Sequence, residues 1–147
     1  MDLYRIHRSR YPALDGWGAA RYGGRWNPPG IPLVYASLAY EGALLEQLVR
    51  SSGGGIPLDR IASRIALPAA CEIPELNRAD HPDWRDGAAS RRIGRDWVAS
   101  RQSVALKVPS YVAQPWGRNV ILNPGHPEFG RLRVAEVIDI GWDSQLF

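Results

Sequence analysis

Arg25, Tyr35 and Glu46 are the residues whose types and spacing point most directly to chemistry. Arg25 follows a glycine pair in Tyr22-Gly23-Gly24-Arg25-Trp26-Asn27-Pro28-Pro29-Gly30, where the backbone can bend sharply. Tyr35 closes an apolar run, and Glu46 lies in a segment of small and apolar residues that reads as a helix. An arginine offers a planar fork of donors to phosphate. A tyrosine offers a rigid face with a polar tip. A glutamate offers a negative charge that stabilises a sugar cation. Together the three types can hold a phosphorylated nucleotide and act on its sugar.

Each residue also has a plainer reading. Glu46 lies four residues before Arg50, the favourable orientation for a surface ion pair on a helix. Tyr35 can be a core-edge tyrosine of a strand, where aromatics are at home. Arg25 can stack on an aromatic ring while Trp26 anchors the loop. Arg5, between Tyr4 and Ile6 on a first strand, reads either as a surface residue or as a phosphate clamp. Ser110 follows a proline and suits a turn or cap; its functional reading is a hydroxyl that orients a ligand.

The elements that must position these residues follow from periodicity. Alternation predicts strands over Leu3–His7 and Ile31–Ser37, the latter with Val34 and Ala36 on one face and Leu33 and Tyr35 on the other. Between them, residues 9–29 read as a long ordered loop, a length that usually marks function. Ser37 is the expected N-cap of a helix over residues 38–50. Leu44, Leu45 and Leu48 are its expected apolar side, and Glu46 shares a face with Gly42, Ala43 and Val49. The run Ser51-Ser52-Gly53-Gly54-Gly55 ends that helix and predicts a mobile loop. Further strands are expected over 60–67, 103–108, 119–122 and 133–141. A helix is expected over 88–101, burying Ile93, Trp97 and Val98 and weakened by Gly94. Strands outnumber helices, which predicts an α+β fold with an antiparallel or mixed sheet in a single domain spanning 1–147.

Composition narrows the function classes. The chain has 147 residues, 45% hydrophobic and 22% charged, ordinary for a globular domain. A net charge of +3 is too weak to argue for nucleic acid. The single cysteine, Cys71, leaves no intrachain disulfide and no CxxC pair for zinc, and reads as a small buried or loop residue. The three histidines, His7, His81 and His126, have no metal-ligand spacing, and no HExxH, Walker or GxGxxG motif occurs. No apolar stretch approaches a membrane span and the N-terminus does not read as a signal peptide, so a cytoplasmic location is expected. The aromatic and arginine-rich first third would also suit stacking on single-stranded nucleic acid.

Several segments in order along the chain resemble the RES-domain family, the toxin half of Xre–RES toxin–antitoxin pairs. They are Tyr4-Arg5, Gly24-Arg25-Trp26-Asn27 with Gly30, Val34-Tyr35-Ala36-Ser37, Ala43-Leu44-Leu45-Glu46, Ile93-Gly94-Arg95-Asp96-Trp97, Val108-Pro109-Ser110 and Asn119-Val120-Ile121-Leu122-Asn123-Pro124-Gly125-His126-Pro127. The resemblance implies an ADP-ribosyltransferase-like fold that consumes NAD by hydrolysis or phosphorolysis. NAD is then a substrate, phosphate a possible co-substrate, and no cofactor is needed. It implies an Xre-like antitoxin partner, contact with nucleic acid only through that partner, and allows a homodimer. The implied catalytic residues are Arg25, Tyr35 and Glu46, with Arg5, Arg25, Tyr35, Ser110 and Asn119 binding NAD. One departure is Gln145, where the family pattern leads us to expect arginine; it bears on the tail rather than the site. Transfer of ADP-ribose to a macromolecule and a non-catalytic binding module are the alternative functions.

Overall fold

The computed structural model describes residues 1–51 and 54–147. Its six strands are β1 (Asp2–Arg8), β2 (Val34–Ser37), β3 (Arg60–Ala66), β4 (Ala105–Pro109), β5 (Arg118–Leu122) and β6 (Arg133–Asp139). The helices are α1 (Trp17–Tyr22), α2 (Tyr40–Arg50) and α3 (Gly87–Ser100), with short 3-10 turns at Phe129–Arg131 and Ser144–Leu146. The strands form one sheet in the order β4-β5-β2-β1-β3-β6, every neighbouring pair antiparallel. The α+β class with an antiparallel sheet and flanking helices is the one expected.

Alternation divides the core between the two faces of the sheet. Leu3, Val34, Ala36, Ile65, Val120 and Leu122 face one side with Cys71, Val104 and Leu132. Leu33, Leu106, Val108 and Ile121 face the other, where Ile93 and Trp97 of α3 join Trp26, Trp84 and Leu76. Register makes this consistent, pairing Val34 with Leu122, Tyr35 with Ile121 and Ser37 with Asn119. Tyr35, Ser37 and Asn119 therefore share the α3 side of the sheet.

Strands β1 and β2 are joined at a single register pair, Tyr4 with Ser37. Beyond it they part. The Arg5 guanidinium fills the opening, Nη1 donating to the Tyr35 carbonyl at 2.8 Å. A split in the middle of a sheet, lined by a cation, is the feature of this fold that makes room for a ligand.

Four local expectations need correction. The segment 9–29 contains α1, and Ala20, buried, turns it inward. Ser37 does not cap α2: it ends β2 and its Oγ donates to Asn119 Oδ1 at 2.9 Å, while Ala39 precedes the helix with no side-chain cap. The inward face of α2 is Ala43 and Gln47, with Leu45 and Val49 exposed; Ala43 and Gly42, the latter beside the Ser37 side chain, let the helix lie close on β1 and β2. Val98 is only partly buried, whereas Ala89, Ser90 and Gly94 join Ile93 and Trp97 on the inner face of α3. The expected mobile loop falls partly on residues 52 and 53, outside those described. Among the described residues no helix is long and apolar enough to cross a membrane.

Candidate active site

The turn carrying Arg25 is built by Asn27. Its side chain is fully buried, with Nδ2 donating to the carbonyls of Ala19 and Ile31 at 2.9 and 2.8 Å. Its Oδ1 accepts from the Tyr35 hydroxyl, which in turn accepts from the Trp26 amide at 3.0 Å. A side chain on Gly24 would strike the Tyr35 hydroxyl at 2.6 Å, so only glycine lets the turn close over the tyrosine. Ser90 of α3 donates its hydroxyl to the Arg25 carbonyl. The backbone of Arg25 is thus clamped while its side chain is exposed, with the guanidinium 4.1 Å above the Tyr111 ring.

Glu46 faces this turn across the cleft. Its Oε1 accepts from Asn119 Nδ2 at 2.8 Å and from Ser110 Oγ at 3.1 Å. Asn119 is oriented by Ser37, and the Ser110 oxygen accepts from the backbone amides of Val112 and Ala113 at 3.2 and 3.0 Å. The surface pairing of Glu46 with Arg50 does not form; both residues instead line the cleft.

Arg5, Arg25, Tyr35, Glu46 and Asn119 line one cleft, and Ser110 touches it through Glu46. All six sequence-expected site residues are brought together. The cleft adds Arg50, Tyr111 and Ser37, which the sequence reading did not assign to a ligand. Arg50 was visible as the residue one helical turn beyond Glu46, hence on its face. Tyr111 had no signal beyond lying next to Ser110.

The electrostatics of the cleft favour an anion. Among the described residues, none of Arg5, Arg25 or Arg50 is in an ion pair. Burial, and then the nearby Arg50 charge, lower the Arg5 pKa to about 10, so it remains cationic at neutral pH. Arg5 Nε is buried without a partner. Burial raises the Tyr35 pKa to about 12, which keeps the phenol neutral and its proton on the bond to Asn27. Cys71 lies on the opposite face of the sheet; burial and then Glu128 raise its pKa, so it is not an activated nucleophile. Among the described residues no three His, Cys, Asp or Glu side chains gather to hold a metal.

A six-stranded antiparallel sheet, parted at its centre beside a carboxylate and arginines that are unpaired among the described residues, positions this site. The RES domain family model matches residues 2–143, and the chain belongs to that family. It is 35% identical over 153 aligned positions to Toxin Res of Photorhabdus laumondii, covering 99% of this chain and 97% of that protein. It is 36% identical to Toxin Res of Yersinia enterocolitica, covering 99% of both. It is 33% identical to the Prs ADP-ribosylating toxin of a Sphingobium species, covering 84% of this chain and 80% of that protein. Its fold is similar to a chain of the Mycobacterium tuberculosis MbcT–MbcA toxin–antitoxin complex, with TM-score 0.71 and 20% identity over 95% of this chain and 83% of that one.

Proposed function

We propose that this protein is an NAD-cleaving toxin of a toxin–antitoxin pair, breaking the nicotinamide–ribose bond by hydrolysis or phosphorolysis. The observation that carries the reading is Glu46, fixed by Ser110 and Asn119 opposite arginines that have no carboxylate partner. Nicotinamide in NAD is already cationic, so it leaves without an acid to protonate it. The barrier lies in the oxocarbenium-like ribose, as in glycoside cleavage. Glu46 Oε1 is occupied by two donors, which leaves Oε2 to accept from a ribose hydroxyl and to stabilise the developing charge. Arg5, Arg25 and Arg50 hold the diphosphate. The Tyr35 ring packs on the nicotinamide, while its hydroxyl remains committed to the turn.

NAD is the substrate and no separate cofactor enters the reaction. The partner in this reading is an Xre-like antitoxin that covers the cleft. The similarity to an ADP-ribosylating toxin supports a second reading, in which ADP-ribose passes to a macromolecule. Both readings share bond cleavage and differ in the acceptor.

The test is NAD consumption by the purified protein freed of any antitoxin, wild type against Glu46→Ala, with and without phosphate. Nicotinamide release that disappears in the variant supports cleavage at this site, and a phosphate requirement assigns phosphorolysis. Labelled ADP-ribose that becomes attached to protein in a lysate assigns transfer. No nicotinamide release from wild-type protein under any of these conditions overturns the reading.

A further inference from the structure

A second concave surface lies beside the cleft. It is an open groove of about 550 Å³ between the Tyr22–Arg25 turn and the start of α3, lined by Arg25, Arg85, Arg91, Ser90 and Tyr111 among others. Among the described residues, no carboxylate lines it. The three arginines are exposed, and none is in an ion pair among the described residues. The nearest acids in sequence are engaged elsewhere: Asp86 accepts from the Ala88 amide as the cap of α3, and Asp83 faces Arg92 at 3.5 Å.

Two of the arginines also rest on aromatic rings. The Arg25 guanidinium lies over Tyr111 and that of Arg85 lies 5.4 Å from the centre of the Trp84 ring. Gly87 leaves room for Arg91: a side chain there would come within 3.2 Å of Arg91 Nη1. Guanidinium groups resting on aromatic rings lose less freedom when they bind, which suits them to phosphate recognition.

Resting on the NAD-cleaving reading, with a further acceptor beside water and inorganic phosphate, we infer that this groove binds a second, phosphate-bearing substrate that accepts the ADP-ribosyl group. Charge separates the two sites. Arg5, Arg25 and Arg50 already face the cleft, enough for the diphosphate of NAD, whereas Arg85 and Arg91 line the groove and not the cleft, and match the double charge of a phosphomonoester. The groove is far larger than an inorganic phosphate ion and falls within the size range of small-molecule sites, so the ligand class is a phosphorylated sugar or nucleotide. Arg25, common to both surfaces, brings the two substrates together. In the reaction an acceptor oxygen forms the bond to the ribose carbon as the ribose–nicotinamide bond breaks. Nicotinamide takes the bonding pair and leaves neutral, and the acceptor hydroxyl's proton passes to Glu46 or water.

The test is calorimetric titration of the whole protein with ribose 5-phosphate, a phosphorylated-sugar probe, alongside ribose. Wild type is compared with Arg85→Gln/Arg91→Gln and with Arg92→Gln/Arg95→Gln, which removes equal charge from the same helix region outside the groove. NAD affinity is measured in parallel with each pair of changes placed on Glu46→Gln, in which the expected slowing of cleavage preserves NAD during the titration. The expected result is ribose 5-phosphate binding that the groove variant weakens at least about tenfold, a charge-assisted hydrogen bond being lost at each arginine. The control variant should bind it within about twofold of wild type, and NAD affinity should stay within about twofold in all proteins. Equal binding of ribose 5-phosphate by the groove variant, or none by wild type, overturns the proposal. So does a parallel loss of NAD affinity, which would make the groove part of the dinucleotide site. Failure of the cleavage reading is distinguishable, because it shows as absent nicotinamide release whatever the ribose 5-phosphate titration gives.

Discussion

Glu46 accepts two hydrogen bonds on one oxygen, and that asymmetry defines what its other oxygen is for. Glu46→Gln keeps the shape and removes the charge. Nicotinamide release should then fall at least about 100-fold, the scale of losing one preorganised electrostatic contact, while NAD binding changes far less. A loss of NAD affinity with kcat unchanged would assign Glu46 to binding alone. Tyr35 has a different part. Its hydroxyl closes the Gly24–Asn27 turn, so Tyr35→Phe should lower stability by about 1–3 kcal/mol, leaving the buried Asn27 Oδ1 without a donor. The ring remains, and kcat should hold to within a fewfold at a temperature where the variant is folded. A kcat collapse in a fully folded Tyr35→Phe protein would make the hydroxyl part of the reaction. The six residues gathered at the cleft could be picked out in the sequence because their motifs carry the resemblance. The bonding that separates Glu46 from Arg50 was not, since an (i, i+4) pair looks the same in sequence whether it faces solvent or a cleft.

At the scale of elements, the helix that sequence propensity made doubtful is the one that holds the site. Gly94 lowers the helical propensity of α3, yet a Cβ there would lie 1.6 Å from the Trp26 carbonyl oxygen. The helix crosses the backbone of the Arg25 turn at that point, and the adjacent turn of α3 sends Ser90 to the Arg25 carbonyl. Gly94→Ala should therefore reverse the usual preference for alanine. The obstacle is backbone, which cannot rotate aside, so the loss should reach several kcal/mol, the upper end for core overpacking. Thermal melting of Gly94→Ala beside Gly18→Ala, where nothing would touch the added methyl, checks this. Similar melting temperatures would mean that α3 does not press on the turn. The strands were legible from alternation because each central strand has two distinct faces. The start of α2 was less so, because Ser37 satisfies its hydroxyl through Asn119 on a strand distant in sequence, a contact that local capping rules do not see.

For the whole molecule, one titration links the strand that carries Arg5 to stability. His7 is buried on β1, its ring nitrogens engaged with Ser63 Oγ at 2.8 Å and the Arg8 carbonyl at 3.0 Å. Burial lowers its pKa below 6.5, and the Arg5 charge acts in the same direction, outweighing the opposing pull of the carbonyls of Arg8 and Tyr11. In the unfolded chain His7 titrates near the usual value of about 6.5. Above that pH both states hold a neutral ring, and His7 adds no pH dependence. As pH falls below it, the unfolded state binds a proton that the folded state refuses, so stability declines until the folded pKa is reached. The decline should be absent from His7→Gln, whose amide can still meet Ser63 but does not titrate. Melting temperatures of the two proteins should therefore run parallel above pH 7 and converge, or cross, as pH is lowered toward 5. Parallel curves throughout that window would mean that His7 takes up its proton in the folded protein as readily as in the unfolded chain, and that the contacts across β1 and β3 do not resist its charge.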